Sequence, residues 1–341
     1  EPLLAKKLLQ MHKWAGQAKF ARSGGEANAI AIRVARSYTA KDKVAICGYH
    51  GWHDWYLAAN LSKKENLKEH LLPGLKPKGV PKNLKNTIYP FSYNNFDELL
   101  SIVKKNDIGA IKMEVSRNYL PKNNFLKKVR KLATQKKIIL IFDECTSGFR
   151  QTFGGIHKYF GVNPDIAIFG KTLGNGHPIT AIIGKKKIMN SSQSSFISST
   201  FWSERVGFVA ALKTLEIMKK TKSWKKITKK GNFIKSQWKI LAKKNNIKIE
   251  IQGISAICSF KVISKYSNHY NTYIAQEMLS KGFLANNSVY VSTAHTETII
   301  KKYLKVMDVC FINISKCENN KKKIKELLKG PVSEQGFIRL N

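Results

Sequence analysis

The sequence predicts an α/β fold in which a mostly parallel β-sheet is flanked by helices and followed by a smaller C-terminal α+β domain. Three observations predict it. Short apolar runs alternate with amphipathic segments through the first two thirds of the 341 residues, the pattern of βα units around a sheet buried on both faces. Residues 138–142 are apolar without a break, as a central strand is. After about residue 222 the alternation gives way to a different order of strands and helices, which divides the chain into a large domain, 1–221, and a small one, 222–341.

Taken in order, the opening residues 1–12 carry helical apolar spacing through Leu4, Leu8 and Met11. Ala27, Ile30, Ala31 and Val34 share one face of a second helix. Residues 44–47, 110–113, 138–142, 166–169 and 180–183 read as strands, and Phe125, Val129, Leu132 and Ala133 mark a helix between the second and third of them. From about Ser203 a long helix runs through Phe208, Ala211, Leu212, Leu215 and Met218, then a lysine-dense stretch spans 219–230. Beyond it, 247–252 and 254–262 read as strands, 271–281 as a helix, and 283–292 as a strand ahead of further helices. The lysine run 321–323 reads as a solvated helix face. Residue 1 is glutamate, and the opening helix has nothing before it to cover it, so the sequence reads as a trimmed chain or a fragment.

Composition narrows the function classes. Hydrophobic content of 43% is that of a globular protein. Five cysteines are scattered with no CxxC pair, so neither a disulfide framework nor a metal site is expected. No apolar run approaches the ~20 residues of a membrane span, and no signal peptide opens the chain; a cytoplasmic protein with no membrane partner is expected. Sixty basic against 22 acidic residues give a net charge of +38. Only Arg22, Arg33, Arg36, Arg117, Arg130, Arg150, Arg205 and Arg339 are arginines. Nucleic-acid recognition favours arginine for base edges and bidentate phosphate contacts, so the excess reads as a solvated lysine surface that attracts anionic partners.

Four stretches carry chemistry. Ser23-Gly24-Gly25-Glu26-Ala27-Asn28 runs into a helix, where free backbone N–H groups and the helix dipole hold a phosphate; a loop with an N-cap serine is the plainer reading. Asp143-Glu144 ends the most buried strand, where open α/β sheets bind ligands and a carboxylate can hold a cationic nitrogen; a capping aspartate is the alternative. Gly170-Lys171-Thr172-Leu173-Gly174-Asn175-Gly176 sets a lysine among glycines directly after a strand, which lets a ligand approach the backbone closely; otherwise it is a turn with an incidental lysine. Ser198-Ser199-Thr200-Phe201-Trp202 is a hydroxyl-rich turn or a simple linker.

Together with Tyr49-His50-Gly51, Gly148-Phe149-Arg150 and Pro164-Asp165, the first three of these stretches, in this order and at these gaps, resemble a class III aminotransferase over about residues 1–310. These are fold-type-I enzymes that use pyridoxal 5′-phosphate, and the likeness is greatest to glutamate-1-semialdehyde 2,1-aminomutase and its aminotransferase relatives. The resemblance implies that Lys171 is the Schiff-base lysine and proton shuttle. It implies that Asp143 pairs with the pyridinium nitrogen and that Ser23, Gly24 and Gly25 cradle the phosphate. Tyr49 would stack on one ring face, Cys145 would take the place of a small apolar residue on the other, and His50 would line the pocket. Asn118 is a candidate partner for the ring hydroxyl. Thr200 would reach the phosphate of a neighbouring subunit, which implies a homodimer with a shared active site.

Departures bear on the substrate. Gly25 stands where relatives carry Thr or Ser, Val115 where they carry Pro, and an N-terminal segment of the family is absent. No arginine lies between Arg205 and Arg339 to clamp an α-carboxylate bidentately. Asn286-Asn287-Ser288 replaces the aminomutase's pocket glutamate ahead of Ala294-His295-Thr296. The sequence therefore implies amino-group transfer on a small amino or keto compound, by mutase or transaminase. An aminotransferase for a sugar-like substrate, a different reaction on the same cofactor and a non-enzymatic basic binder on the same fold remain as alternatives.

Overall fold

A computed structural model of the chain describes residues 1–62, 76–320 and 323–333. The chain divides into two compact units, Glu1–Lys222 and a second that begins at Ser223.

The first unit opens on helix α1 (Pro2–Met11), which buries Leu4 and Leu8. Strand β1 (Gln17–Ala21) leads into α2 (Gly24–Thr39). Helix α2 begins at a capping box: Ser23 Oγ accepts the Glu26 N–H, and the Glu26 carboxylate accepts the Ser23 N–H at 2.8 Å. It buries Ala27, Ile30, Ala31 and Val34, the face expected from their spacing. Then follow β2 (Lys43–Cys47), the short helices α3 (Asp54–Leu57) and α4 (Ala59–Ser62), β3 (Ile88–Pro90), α5 (Phe96–Lys105), β4 (Ile108–Glu114), α6 (Phe125–Gln135) and β5 (Ile139–Glu144). Strands β6 (Ile166–Phe169) and β7 (Thr180–Gly184), helix α7 (Lys186–Met189) and helix α8 (Arg205–Thr221) complete it.

Its sheet has the order β1-β7-β6-β5-β4-β2-β3. Strands β6, β5, β4, β2 and β3 run parallel, while β7 is antiparallel to both β6 and β1. The expected largely parallel, doubly covered sheet is thus present, and β4 and β5 are buried at every position. Strands β1 and β3, not expected from the sequence, occupy the two edges, where five and three residues suffice and no long apolar run is needed.

The second unit holds α9 (Ser223–Lys244), β8 (Ile249–Gln252), β9 (Ile257–Val262), α10 (Ser267–Ser280), β10 (Ser288–Tyr290) and α11 (Glu297–Glu318). Its three strands form an antiparallel sheet in the order β10-β9-β8, packed around Trp238, Phe260, Tyr303 and Phe311. Much of the lysine-dense stretch is the start of α9, which buries Ile227, Gly231, Ile234, Trp238 and Ala242. Gly231 allows a close approach: a Cβ there would stand 1.7 Å from the Ser255 carbonyl oxygen. The strand expected over 283–292 narrows to β10, preceded by Gly282 at φ +77°. Of the lysine run, Lys323 is exposed beyond α11, and residues 321 and 322 lie outside the described residues. Among the described residues no helix is long and apolar enough to cross a membrane.

Candidate active site

Because β2, β4, β5 and β6 are parallel, their C-terminal ends share one edge of the sheet. That edge collects Tyr49 and His50 after β2, Glu114 at the end of β4, Asp143 and Cys145 at the end of β5, and Gly170 and Lys171 after β6. Residues as far apart in sequence as Tyr49 and Lys171 converge by topology alone.

Asp143 is the electrostatic centre. Its Oδ2 accepts from His50 Nδ1 at 2.9 Å, its Oδ1 accepts from the Cys145 N–H at 3.1 Å, and Lys112 Nζ lies 3.7 Å from Oδ2. Burial alone would raise the Asp143 pKa, but the Lys112 ammonium, the His50 hydrogen bond and the Cys145 N–H together hold it well below the usual carboxylate range. Burial, with the Lys112 charge adding to it, lowers the pKa of His50, so the imidazole is neutral at pH 7 and Nδ1–H is the donor. Its ring lies 24° from parallel to the Trp55 ring, with centroids 6.3 Å apart. The His50 Nε2 atom is buried with no hydrogen-bond partner among the described residues. Sequence reasoning missed Lys112, although its signal was there: a lysine inside the apolar run 110–113 of a fully buried strand.

Cys145 joins the other parts. A Cβ on Gly24 would stand 3.6 Å from Cys145 Sγ, and one on Gly170 would stand 3.4 Å from it. The start of α2, the end of β6 and the end of β5 therefore meet around one small side chain. Burial and the neighbouring Asp143 charge push the Cys145 thiol well up, so it packs and does not attack. The loop after β2 adjoins the same place: Gly51, at φ +99°, would put a Cβ 3.4 Å from Gly25 Cα. Tyr49 is half-buried here; its N–H donates to Glu114 Oε2 at 3.2 Å and its ring packs edge-on to Tyr56.

The donor set fits pyridoxal phosphate. The capping box uses the Glu26 N–H and the Ser23 N–H, leaving the Gly24 and Gly25 N–H groups of the first turn to an anion. Ser23 Oγ accepts within the cap and keeps its own proton for donation. The room left by Gly25 is filled by His53, whose Nε2 is 2.7 Å from where a Cβ would be, a neighbour that sequence reasoning did not name. Lys171 is exposed at φ +43°, and its Nζ donates to Thr146 Oγ1 at 2.8 Å. An amine, a buried carboxylate and the start of helix α2 thus lie around Cys145.

Thr200 is exposed on a turn that is tied back to α2: Arg22 Nε donates to the Phe201 carbonyl at 2.6 Å and Trp202 Nε1 to Glu26 Oε1 at 3.1 Å. Asn118 is half-buried on the loop after β4. Asp165 has a structural task, accepting the Leu140 N–H at 2.8 Å and pairing with Arg130 and Lys185.

Glu144 follows Asp143 and so points to the opposite face of the sheet. There it accepts the His157 N–H at 3.1 Å, His157 Nδ1 at 2.5 Å and the Ile156 N–H at 2.5 Å. Beside it His12 donates from Nδ1 to the Leu8 carbonyl at 2.9 Å and accepts the Gly155 N–H on Nε2 at 3.1 Å. Both ring nitrogens are engaged as a neutral imidazole. Burial lowers its pKa from 6.5 to about 4. The unfolded chain therefore takes up this proton first as pH falls. Stability is complete above about pH 6.5 and declines by about 3 kcal/mol toward pH 4. Urea unfolding midpoints at pH 7, 5.5 and 4.5 check this, and His12→Gln should make the series shallower, the buried His50 supplying the slope that remains.

Against known families, the description "Aminotransferase class-III" matches residues 2–327. A 3-aminobutyryl-CoA aminotransferase of Cloacimonas acidaminovorans is 36% identical over 259 residues, covering 73% of this chain and 58% of that protein. A glutamate-1-semialdehyde 2,1-aminomutase of Methanobrevibacter smithii is 31% identical over 295 residues, covering 83% of this chain and 67% of its own length. The chain thus spans less than two thirds of the first of these relatives. Two solved structures share the fold. An omega-transaminase from Sphaerobacter thermophilus gives a TM-score of 0.79 at 20% identity over 92% of this chain and 77% of its own. An S-selective transaminase from Arthrobacter sp. with alanine bound gives 0.78 at 20% identity, covering 93% and 80%.

Proposed function

We propose, for a chain that belongs to the class-III aminotransferase family, that it moves an amino group on or between small amino and keto compounds with pyridoxal 5′-phosphate at the edge where Asp143 and Lys171 meet. The observation that carries this is the convergence on Cys145 of the α2 start, the Asp143 carboxylate and the strand that delivers Lys171. The aminomutase relatives support a glutamate 1-semialdehyde substrate. The similarity to a 3-aminobutyryl-CoA aminotransferase supports a β-amino acyl thioester as the second reading.

Each residue then has a task. The Gly24 and Gly25 N–H groups and the Ser23 hydroxyl donate to the phosphate. The Asp143 carboxylate holds a proton on the ring nitrogen, and His50 and the Cys145 N–H keep that carboxylate ionised and aimed. Tyr49 and Cys145 would hold the ring of the cofactor between them. The cofactor, when bound, supplies an electron sink for the pair left when a substrate C–H bond breaks. The Lys171 amine takes that proton and returns it at the neighbouring carbon, with Thr146 Oγ1 fixing the amine. Phe196, Phe201, Val206 and Val209 are exposed around and just after the Thr200 turn. That apolar surface supports a homodimer in which Thr200 reaches the phosphate of a second copy.

The test is to load the chain with pyridoxal phosphate, reduce with borohydride and map the peptides. A pyridoxyl group on Lys171 is the expected result; a label on another lysine, or none, overturns the assignment. Assays of the same protein with glutamate 1-semialdehyde, and with a β-amino acyl thioester plus an oxo acid, separate the two substrate readings.

A further inference from the structure

Lys112 helps to keep Asp143 ionised, yet it has no assigned part in holding the cofactor, and it lies in the interior of the sheet. It is 0% exposed on β4, and its ladder neighbours are Ile46 on β2 and Ile141 on β5. The positions two residues away on its own strand and the next, Ala110 and Ile139, belong to the apolar core beneath α2. An aliphatic side chain would fill this position with no desolvation cost, whereas a buried ammonium costs several kcal/mol unless compensated. Among the described residues its ion-pair partner is Asp143, with Nζ 3.7 Å from Oδ2, and Nζ has no hydrogen-bond partner there. The Asp143 carboxylate thus faces the Lys112 amine before any ligand arrives, and the pair supports the ammonium form against burial. The neutral His50 supplies no such charge.

The geometry points to Lys112 as a positioning residue: its ammonium shares the Asp143 carboxylate with the cation that Asp143 receives, and so weakens the hold of Asp143 on a protonated ring nitrogen. The consequence follows from charge alone. One carboxylate facing two cations stabilises each less than it would stabilise one. Burial of Lys112 lowers its own pKa while Asp143 opposes that effect, which fits a pair whose members sustain each other's charge. The charged and titratable groups acting on His50 are Lys112, Asp143 and Glu114, with the Trp55 and Tyr56 rings packed against it. Removing Lys112 therefore has a defined sign at both ends of Asp143: His50 protonates more readily, and so does the ring nitrogen. This inference rests on the cofactor reading above.

The experiment compares the full chain with Lys112→Met, with Lys112→Gln as the neutral variant to use if the first does not fold. In the cofactor-free proteins, histidine NMR follows the His50 titration, and the variant midpoint should rise by about one pH unit or more. In the loaded proteins, ring-15N-labelled pyridoxal phosphate reports protonation directly, and its shift should move toward the protonated value in the variant. A purely structural lysine would change melting and leave both signals in place, which overturns the inference. A moved His50 with an unmoved ring nitrogen overturns it as well. Absence of cofactor uptake by the unmodified chain overturns the cofactor reading itself, and the inference with it.

Discussion

Lys171→Ala should lose activity by about 10³-fold or more while melting at the same temperature as the parent chain. The loss follows from the tasks assigned to one amine: it is the covalent anchor and it carries the proton, and a positioned acid or base alone is worth about 10²–10⁴. The stability forecast follows from the geometry. Lys171 is exposed and makes one hydrogen bond, to Thr146 Oγ1, so its truncation falls within about 0.5 kcal/mol, as surface changes do. Its left-handed φ of +43° costs alanine about as much as lysine. Three measurements check the forecast together: turnover on whichever of the two proposed substrates the parent chain accepts, the borohydride label at residue 171, and a thermal melt. A variant with substantial turnover would remove Lys171 from the mechanism. A variant with a large drop in melting temperature would mean the side chain holds the turn as well.

Much of this site was legible because its chemistry sits at strand ends, and strand ends are marked by abrupt changes of residue type. The runs ending at Phe142 and Phe169 stop at Asp143 and Gly170-Lys171, and parallel order then brings them to one edge. Edge strands leave weaker marks. Gln17–Ala21 is only partly buried over its first three residues and Ile88–Pro90 is three residues long, so neither shows a core-like run. Helix α9 was hidden by its lysines: its buried positions are spaced three or four apart, but one of them is Gly231, which carries no apolar side chain to extend the stripe. Lys112 was overlooked for the opposite reason, because a single charge inside an apolar run is averaged away by any reading of periodicity. His53 could not be read from sequence at all, since its closeness to Gly25 depends on how two loops meet. Asp143-Glu144 looked like one acidic pair; the alternation of a strand splits it between the candidate site and the His12–His157 cluster on the other face.

Asp143→Asn should depress both activity and stability, and the pairing of the two losses separates it from Lys171→Ala. The amide keeps the size of the side chain, but its single oxygen can accept from only one of His50 Nδ1 and the Cys145 N–H, which bond to different oxygens of Asp143. It therefore removes one hydrogen bond and, with larger effect, the charge. Lys112, fully buried and 3.7 Å away, is left as an ammonium without a counter-ion. Breaking a buried pair from one side costs about 3–5 kcal/mol. Catalysis suffers separately, because a neutral amide cannot hold a proton on the ring nitrogen; removing one such electrostatic contact costs about 10²–10³ in rate. The pH dependence has a fixed sign. The Asp143 pKa is held below that of an unfolded carboxylate, so its contribution is complete above about pH 4 and fades only as pH falls through the folded value. The gap in unfolding midpoint between parent and variant should therefore be constant from neutral pH down to mild acid and close only in strong acid. A gap that closed near pH 6 would assign the stabilisation to a histidine instead. No gap at all would mean that Lys112 sheds its proton when Asp143 is neutral, in which case the buried pair exists only as long as both of its members do.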